Sequence, residues 1–322
     1  MWIYILTAFL LLSIELIYFK IADHFNIIDK PNNRSSHTKI TLRGGGILFY
    51  FGVLLYFLMF GFAYPWFLAG LSLIAAVSFR DDVKPVSSHR RFGIQIIAMA
   101  LMFNQWGLFE MPWYFTLIAL VFCIGILNAY NFMDGINGIT GGYSLVVMGA
   151  MWYINTWEVH FINQNLLYVL MIALVVFCFF NFRTKAKCFA GDVGSVSMAF
   201  IIVFLLGQLI LTTGYLSYFM LLALYGVDTI LTIIHRLFLR ENIFKPHRRH
   251  LFQIMANELH IPHVWVSTIY MVIQALVSAG LLLTSFRLEY SLVMIALFSG
   301  VYVFFMKEYY GLYESGRTEV SR

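Results

Sequence analysis

Charged residues are scarce in this chain. Asp, Glu, Lys and Arg make up 11% of the 322 residues, whereas hydrophobic residues make up 61%. An ordinary soluble domain carries about 25% charged residues, most of them on its surface. Because this chain cannot cover a water-facing surface in that way, its composition excludes a soluble globular domain and predicts an integral membrane protein.

The chain also has few cysteines and no internal repeat. Cys123, Cys178 and Cys188 are an odd set without the spacing of a metal site. The sequence contains no heptad pattern, low-complexity tract or long polar linker. We therefore predict a single transmembrane domain over residues 1–322, with no separate soluble domain.

The apolar segments predict α-helices. They lack the ten-residue alternation of an outer-membrane barrel, and helices are the remaining way to satisfy backbone amides in lipid. Residues 2–21 form a first segment, and five apolar hairpins follow it. The hairpins cover residues 43–80, 91–134, 134–183, 192–236 and 263–306. The prediction is an all-α polytopic bundle of about eleven transmembrane helices.

Lys and Arg are distributed unequally between the two sides of this topology. All 21 of them except Arg287 lie at residues 20–43, 80–91, 183–187, 236–249 and 307–322. The positive-inside rule makes these segments cytoplasmic, so the amino terminus is outside and the carboxyl terminus is cytoplasmic. The net charge of +5 then reflects topology and anionic lipid headgroups, and it does not indicate nucleic acid.

The first two cytoplasmic loops combine cations, glycines and carboxylates. Residues 33–39 are followed by Arg43 and three glycines, whose amides can approach a phosphate, although juxtamembrane cations also bind lipid headgroups. In the next loop, Asp81 and Asp82 repel each other unless a metal or a shared proton relieves the repulsion. Neutralisation by Arg80 and Lys84 in a solvated turn is the alternative.

The third loop, residues 128–138, is rich in carboxamides and contains no Lys or Arg. Asn128, Asn131, Asp134 and Asn137 would be costly at the membrane surface unless they line a hydrated pocket and meet a ligand or a metal. Asp134 could instead cap the next helix. The number of carboxamides exceeds what a cap requires, so we predict a binding site.

The fourth and fifth loops add one carboxylate and a basic cluster. Asp192 lies in a glycine-flanked turn, where it could be a helix cap or the single protein ligand that Mg²⁺ often uses. His247, Arg248 and His250 present donors suited to a pyrophosphate, or a basic surface for headgroups. Asp228, inside the preceding apolar segment, is either functional or paired with a loop cation.

Taken together, the five loops resemble the polyprenyl-phosphate N-acetylhexosamine-1-phosphate transferases of glycosyltransferase family 4. These membrane enzymes begin O-antigen, teichoic acid and capsule synthesis and include the peptidoglycan lipid I synthase. The resemblance spans most of the chain and keeps the order of the motifs. The motifs are residues 35–37 with 43–46, 81–82, 131–138, 191–195 and 247–251.

The resemblance implies the transfer of a sugar 1-phosphate from a UDP-sugar to undecaprenyl phosphate, with release of UMP. It implies Mg²⁺, or Mn²⁺, bound by Asp192, and a catalytic pair, Asp81 and Asp82, that deprotonates or positions the lipid phosphate. The implied substrate-binding residues are Arg43, Asn128, Asn131, Asp134, Asn137, His247, Arg248 and His250. Relatives commonly have an aspartate at position 137. Direct attack and a phospho-aspartate intermediate both remain open.

The resemblance also implies a bacterial cytoplasmic membrane, an active site that faces the cytoplasm, and allows a homodimer. A transporter or flippase for a lipid-linked or nucleotide sugar is the alternative function. Carriers place polar groups near the bilayer midplane, whereas these clusters lie at helix ends. The identity of the transferred sugar stays open.

Overall fold

Helices account for most of the chain in the computed structural model, which describes residues 2–30, 40–242, 248–285 and 287–320, with side chains up to residue 309. The α-helices of this part are α1 (Trp2–His24), α2 (Ile47–Phe60), α3 (Pro65–Val83), α4 (Ser88–Gln105), α5 (Trp113–Met133), α6 (Ile139–Tyr153), α7 (Gln164–Asn181), α8 (Gly191–Thr213), α9 (Ala223–Phe238), α10 (Leu251–Asn257), α11 (His263–Leu283) and α12 (Leu288–Val320). Two 3₁₀ segments, Leu108–Glu110 and Leu216–Leu222, and a π-helical turn, Ile154–Glu158, join them.

Several turns between helices are marked by glycine or proline. Gly61, Gly107 and Gly214 each follow a helix in a positive-φ conformation that glycine adopts without strain. Pro65 occupies the first turn of α3, where its missing amide hydrogen costs nothing. Each of the five predicted hairpins therefore has two helices at its position, and the helical fold class is confirmed.

Seven helical segments are long and apolar enough to cross a membrane. They are α1, α5, α7, α8, Leu216–Phe238, α11 and Leu288–Tyr309. The helices α2, α3, α4 and α6 complete the predicted set but are shorter or less apolar. The chain is a multi-pass membrane protein, whereas the full count of eleven spans and the orientation of the termini stay predictions.

Helix α8 lies at the centre of the bundle. Most of its side chains are buried, whereas few of those in α5 and α12 are, as in lipid-facing helices. Against α8, the ring of Phe67 in α3 stacks on Phe204 at 4.0 Å and on Phe200 at 5.9 Å between centroids. Helix α8, which carries Asp192 near its start, is therefore packed against α3 by aromatic rings.

Two short strands were not predicted. Residues Ile28–Asp29 (β1) and Thr41–Leu42 (β2) pair antiparallel, with Ile28 opposite Leu42. Leu42 also pairs with Cys188, next to the start of α8. This small sheet adds little to the all-α fold, but it holds Arg43, whose amide donates to the carbonyl of Ile27 at 3.0 Å.

Successive helices run in alternating directions because the turns between them are short. The loops after α1, α3, α5, α7 and α9 consequently fall at one end of the bundle. These are the five polar loops of the sequence, and contacts between their described residues show that they meet.

Candidate active site

Asp82 is the point at which two distant helices meet. Its Oδ1 accepts the N–H of Asp192 and its Oδ2 the N–H of Val193, both at 2.9 Å. These two donors belong to the first turn of α8, whose own N-cap residue provides no side-chain cap. Asp82, at the end of α3, therefore caps α8 with a charge that suits the positive end of the helix dipole.

Arg43 neutralises this carboxylate. Its Nε donates to Oδ1 of Asp82 at 2.6 Å, and its Nη2 donates to Oδ1 of Asp192 at 3.3 Å. The side chain of Asp82 is fully buried, whereas that of Arg43 is 32% exposed. Every oxygen of Asp82 thus has a donor within the protein, and the partly exposed guanidinium remains within reach of a ligand.

Asp192 lies between three donors. Asn131 donates to its Oδ1 at 3.0 Å, as Arg43 does, and Nη1 of Arg91 donates to its Oδ2 at 3.0 Å. Asn131 also reaches the hydroxyl of Ser195 at 3.2 Å. Asp192 is not the N-cap of α8, so the capping alternative is wrong, and its carboxylate lies where the loops converge.

Asp81 and Asp192 share one cation. Nη1 of Arg91 donates to Oδ2 of Asp81 at 2.6 Å, in addition to its bond with Asp192. The two carboxyl groups lie within hydrogen-bonding reach of each other. A carboxyl pair this close needs a shared proton or a cation. The solvated turn neutralised by Arg80 and Lys84 is not what the structure has.

The glycines of the first loop serve close packing. The amides of Gly45 and Gly46 donate to the carbonyls of Phe189 and Ala190 at 2.9 and 3.1 Å. A Cβ on Gly46 would lie 2.3 Å from the Cα of Gly194. The amides of Gly45 and Gly46 are therefore not available to a phosphate, and these two glycines instead bring the first loop against α8.

Asn128 lies one turn from Asn131 on the same face of α5. Its amide nitrogen donates to the carbonyl of Ile124 at 2.8 Å. The structure therefore brings Asn131, but not Asn128, into hydrogen-bonding contact with the carboxylates.

Asp134 ends α5, and Gly138 is the N-cap of α6, so the alternative that Asp134 caps α6 is wrong. Its Oδ1 accepts the hydroxyl of Thr140 at 2.7 Å. Burial raises the pKa of Asp134 to about 7, although the hydrogen bond from Thr140 and the charge of Arg43 lower it. Asp134 therefore changes charge near neutral pH.

Asn137 holds the neighbouring loop. Its side-chain Nδ2 donates to the carbonyls of Arg183 and Thr184 at 2.8 and 3.3 Å. Its backbone carbonyl accepts the hydroxyl of Ser267 at 2.8 Å. Its Oδ1 is buried without a partner among the described residues. Asn137 thus has a structural role that the sequence did not predict, with one acceptor left over.

His247, the first residue of the fifth motif, lies outside the described residues, as do residues 33–39 of the first loop. Arg248 is partly buried, and Arg249 pairs with Glu241. His250 is 2% exposed and faces Asp228, with 3.3 Å from its Nδ1 to Oδ1 of the carboxylate. Asp228 is therefore paired with the imidazole of a residue in the fifth loop.

The fifth motif meets the third. The rings of His250 and Phe132 lie 6.2 Å apart, and a Cβ on Gly135 would lie 3.0 Å from the ring of Phe252. Five loops, separated by up to about two hundred residues in sequence, thus form one continuous polar region at one end of the bundle.

Arg91 was missed by the sequence analysis. Seven and eleven residues after it on α4, Ala98 and Met102 are fully buried, whereas the neighbouring Arg90 is exposed. The buried periodicity of α4 could therefore have selected Arg91 as the inward-facing cation.

Comparison with known proteins agrees with this geometry. The family model described as glycosyl transferase family 4 matches residues 64–210. A probable undecaprenyl-phosphate N-acetylglucosaminyl 1-phosphate transferase of Bacillus subtilis is 28% identical over 275 residues, covering 77% of this chain and 75% of the relative. The undecaprenyl-phosphate alpha-N-acetylglucosaminyl 1-phosphate transferase of Escherichia coli K12 is 25% identical over 268 residues, covering 74% and 71%. A phospho-N-acetylmuramoyl-pentapeptide-transferase of Listeria monocytogenes is 26% identical over 184 residues, covering 48% and 56%.

The apolar helices and the names of these relatives together make the protein a multi-pass membrane enzyme of the sugar-phosphate transferase class. Residues 64–210, a little under half of the chain, match glycosyl transferase family 4, and the relatives support that family.

Proposed function

We propose that this enzyme transfers an N-acetylhexosamine 1-phosphate from a UDP-sugar to undecaprenyl phosphate and releases UMP. The observation that supports the proposal is the convergence of Asp81, Asp192, Asn131, Arg43 and Arg91 from four separate loops. The relatives of Bacillus subtilis and Escherichia coli carry the name of the same reaction with N-acetylglucosamine.

Phosphoryl transfer between two phosphates requires that negative charges be brought together and aligned. Arg43 and Arg91 are 32% and 37% exposed, so their guanidiniums can turn part of their donor set towards phosphate oxygens. The lipid phosphate and the donor diphosphate would then displace part of the pairing with the carboxylates. These two arginines are the proposed anion ligands, together with His250 and the predicted His247 and Arg248.

Asp81 and Asp82 have different proposed tasks. Both oxygens of Asp82 accept hydrogen bonds, from two backbone amides and from Arg43. Because one of these amides is that of Asp192, Asp82 holds Asp192 in place. Asp81 accepts hydrogen bonds from the guanidinium of Arg91 and from the amide of Val86, and it lies beside Asp192. We assign to Asp81 the orientation or deprotonation of the lipid phosphate, and to Asp82 the support of the metal ligand.

The residues at this site fit Mg²⁺, or Mn²⁺ in its place. No group of three or more His, Cys, Asp or Glu side chains in the described part of the chain could hold a metal ion alone. Mg²⁺ is commonly held by one or two carboxylates, with waters and substrate phosphates as the other ligands. The close pair of Asp192 and Asp81 supplies two such carboxylates. When bound, the ion would neutralise charge on the donor diphosphate.

The proposed topology has eleven spans, the amino terminus outside, and the site at the cytoplasmic face of a bacterial inner membrane. Its support is the Lys and Arg of four of the five converging loops and of the carboxyl-terminal segment. A site at this interface can receive a water-soluble nucleotide sugar and a lipid acceptor together. A carrier would instead need polar groups near the midplane, so the transporter alternative has less support.

The proposal is tested by purifying the protein in detergent and measuring UMP with undecaprenyl phosphate, Mg²⁺ and one UDP-sugar at a time. The panel contains UDP-GlcNAc, UDP-GalNAc and 6-deoxy amino-sugar donors. We expect UMP and a lipid-linked diphosphate sugar with at least one donor, loss of both with EDTA, and recovery with added Mg²⁺. Asp192→Asn should be inactive, and Glu289→Gln, on the exposed surface at the other end of the bundle, should match the wild type. Absence of UMP with every donor would overturn the proposal.

A further inference from the structure

Asp228 is a carboxylate enclosed by the bundle, with 3% of the residue exposed. Its Oδ1 faces Nδ1 of His250 at 3.3 Å and accepts the amide of Leu251 at 3.0 Å. The same oxygen lies 3.2 Å from the hydroxyl of Thr232, and Oδ2 accepts the hydroxyl of Tyr270 at 2.8 Å. Four hydrogen-bonding groups from α9, α10 and α11 therefore surround one acidic side chain.

These contacts define the hydrogen-bonding state of the imidazole. The amide of Leu251 can only donate, so Oδ1 of Asp228 acts as an acceptor, and a carboxylate has no hydrogen to give. The nitrogen of His250 that faces it must then be an Nδ1–H. In the neutral ring this leaves Nε2 as the unprotonated nitrogen and fixes its direction.

The same carboxylate also fixes the backbone that carries this ring. Asp228 binds the amide of Leu251, while the amide of His250 donates to Oε1 of Gln253 at 3.3 Å. His250 is the N-cap residue of α10. Both the ring and the peptide unit next to it are therefore held, which leaves the imidazole little freedom to rotate.

The held imidazole lies against the third loop. Phe132 and Gly135, which contact the rings of His250 and Phe252, flank Asp134 in that loop. The contact connects α9, α10 and α11 to the carboxylate cluster. A change in the direction of His250 would thus occur at the boundary of the candidate active site.

We propose that Asp228 is a positioning residue that orients His250 towards the donor substrate. The proposal rests on the proposed function, which gives His250 a contact with the donor phosphates or sugar. A buried carboxylate in an apolar segment is costly, and well-packed apolar residues stabilise such a position at least as well. The orientation that Asp228 imposes on the imidazole of His250 gives a reason for a charged residue at this position.

Two substitutions of His250 separate a positioning role from a structural one. His250→Asn places an amide donor near the position of Nδ1, so it keeps the bond to Asp228 and removes Nε2. His250→Gln places its amide near the position of Nε2 and weakens that bond. We expect His250→Asn to fold like the wild type, by thermal melting in detergent, and to lose at least tenfold in kcat for UMP release. A kcat of His250→Asn within twofold of the wild type would mean that the pair is merely structural.

A double-mutant cycle tests the coupling. We expect Asp228→Asn to lower kcat by about tenfold to a hundredfold, by analogy with the partners that orient metal-binding histidines, with KM for the donor changed less than threefold. Because Asp228 acts through His250, adding Asp228→Asn to His250→Asn should lower kcat less than twofold further. If the loss of kcat in the double variant equals the product of the two single losses, the proposal is contradicted. A wild-type kcat in Asp228→Asn would contradict it as well. Glu289→Gln, the same chemical change at an exposed position of α12, is the control.

A measurement without substrate keeps the proposal separate from the proposed function. In protein labelled with ¹⁵N-histidine, the signals of His250 are those missing from His250→Gln. We expect them to report protonated Nδ1 and bare Nε2 at a pH where the ring is neutral. The opposite tautomer would overturn the role of Asp228 even in an active enzyme. An inactive wild type with the expected tautomer would instead overturn the proposed reaction and the substrate contact, and it would leave the orientation of His250 by Asp228 standing.

Discussion

Asp82 holds Asp192 by its backbone: one carboxylate oxygen of Asp82 accepts the amide hydrogen of Asp192, and the other accepts that of Val193. One acidic residue of the candidate site is thus the helix cap that positions another. The two aspartates should respond differently to the same substitution.

In Asp82→Asn, an amide group would replace an oxygen that now accepts a backbone N–H, so a donor would face a donor. We expect a loss of about 1–3 kcal/mol in the free energy of unfolding, as for buried donors left unpaired, together with loss of UMP release. Asp192→Asn should lose UMP release with a smaller change in stability. Thermal melting in detergent and the UMP assay measure the two effects, and equal melting temperatures for the two variants would contradict the capping role.

Arg91 is expected to matter for turnover because a single nitrogen of its guanidinium serves Asp81 and Asp192. Arg91→Ala should lower kcat by about a hundredfold or more, as removal of preorganised charge-stabilising donors does. The exposed neighbour Arg90 is the matched control, and Arg90→Ala should stay within twofold of the wild type. Similar kcat values for the two alanine variants would show that the bridge has no part in the reaction.

The charge of Asp134 makes the stability of the substrate-free protein depend on pH. Burial raises the folded-state pKa of this carboxyl to about 7, above the value of about 3.9 in an unfolded chain. Its stabilising contribution is therefore complete below the unfolded pKa and is lost as the pH rises through about 7.

Asp134→Asn removes this dependence because the amide stays neutral. Relative to the asparagine variant, the wild type should melt at a lower temperature at pH 8.5 than at pH 5.5. Thermal melting of both proteins at the two pH values measures the difference. Parallel shifts of the two proteins would rule out a raised pKa at Asp134.

Gly46 and Gly149 give a matched pair for the close contact between the first loop and α8. A Cβ on Gly46 would meet the Cα of Gly194 at 2.3 Å, whereas a Cβ on Gly149 in α6 has nothing within 4 Å. Gly46→Ala should cost about 1–3 kcal/mol of stability, as overpacking does, and lower UMP release. Gly149→Ala should be neutral or stabilising by up to about 1 kcal/mol, because alanine favours a helix. Equal melting temperatures would show that the first loop is not tightly packed.

The sequence predicts the helices well because charges and turn residues punctuate the apolar segments, as at Gly61 and Pro65. It also predicts that distant acidic loops meet, since alternating helices bring every second loop to the same end. These are consequences of chain connectivity and of the membrane, and they need no knowledge of side-chain packing.

The partners of individual residues could not be predicted in the same way. The bond from Asp82 to the start of α8 joins positions 110 residues apart, and no local pattern marks it. Gly45 and Gly46 look alike whether they bind phosphate or pack against a helix. Strands β1 and β2 are two residues long each, too short for an alternation to be visible.

The enclosure of α8 links the candidate site to the interior of the bundle. Asp192 is the second residue of this helix, and about two turns further on Phe200 stacks on Phe67. A small tilt of the helix axis about the Phe67–Phe200 contact would displace the carboxylate of Asp192, and the displacement increases with the distance along the helix between the two. Substitutions at these aromatic positions inside the bundle should therefore slow turnover without touching any group that meets the substrates.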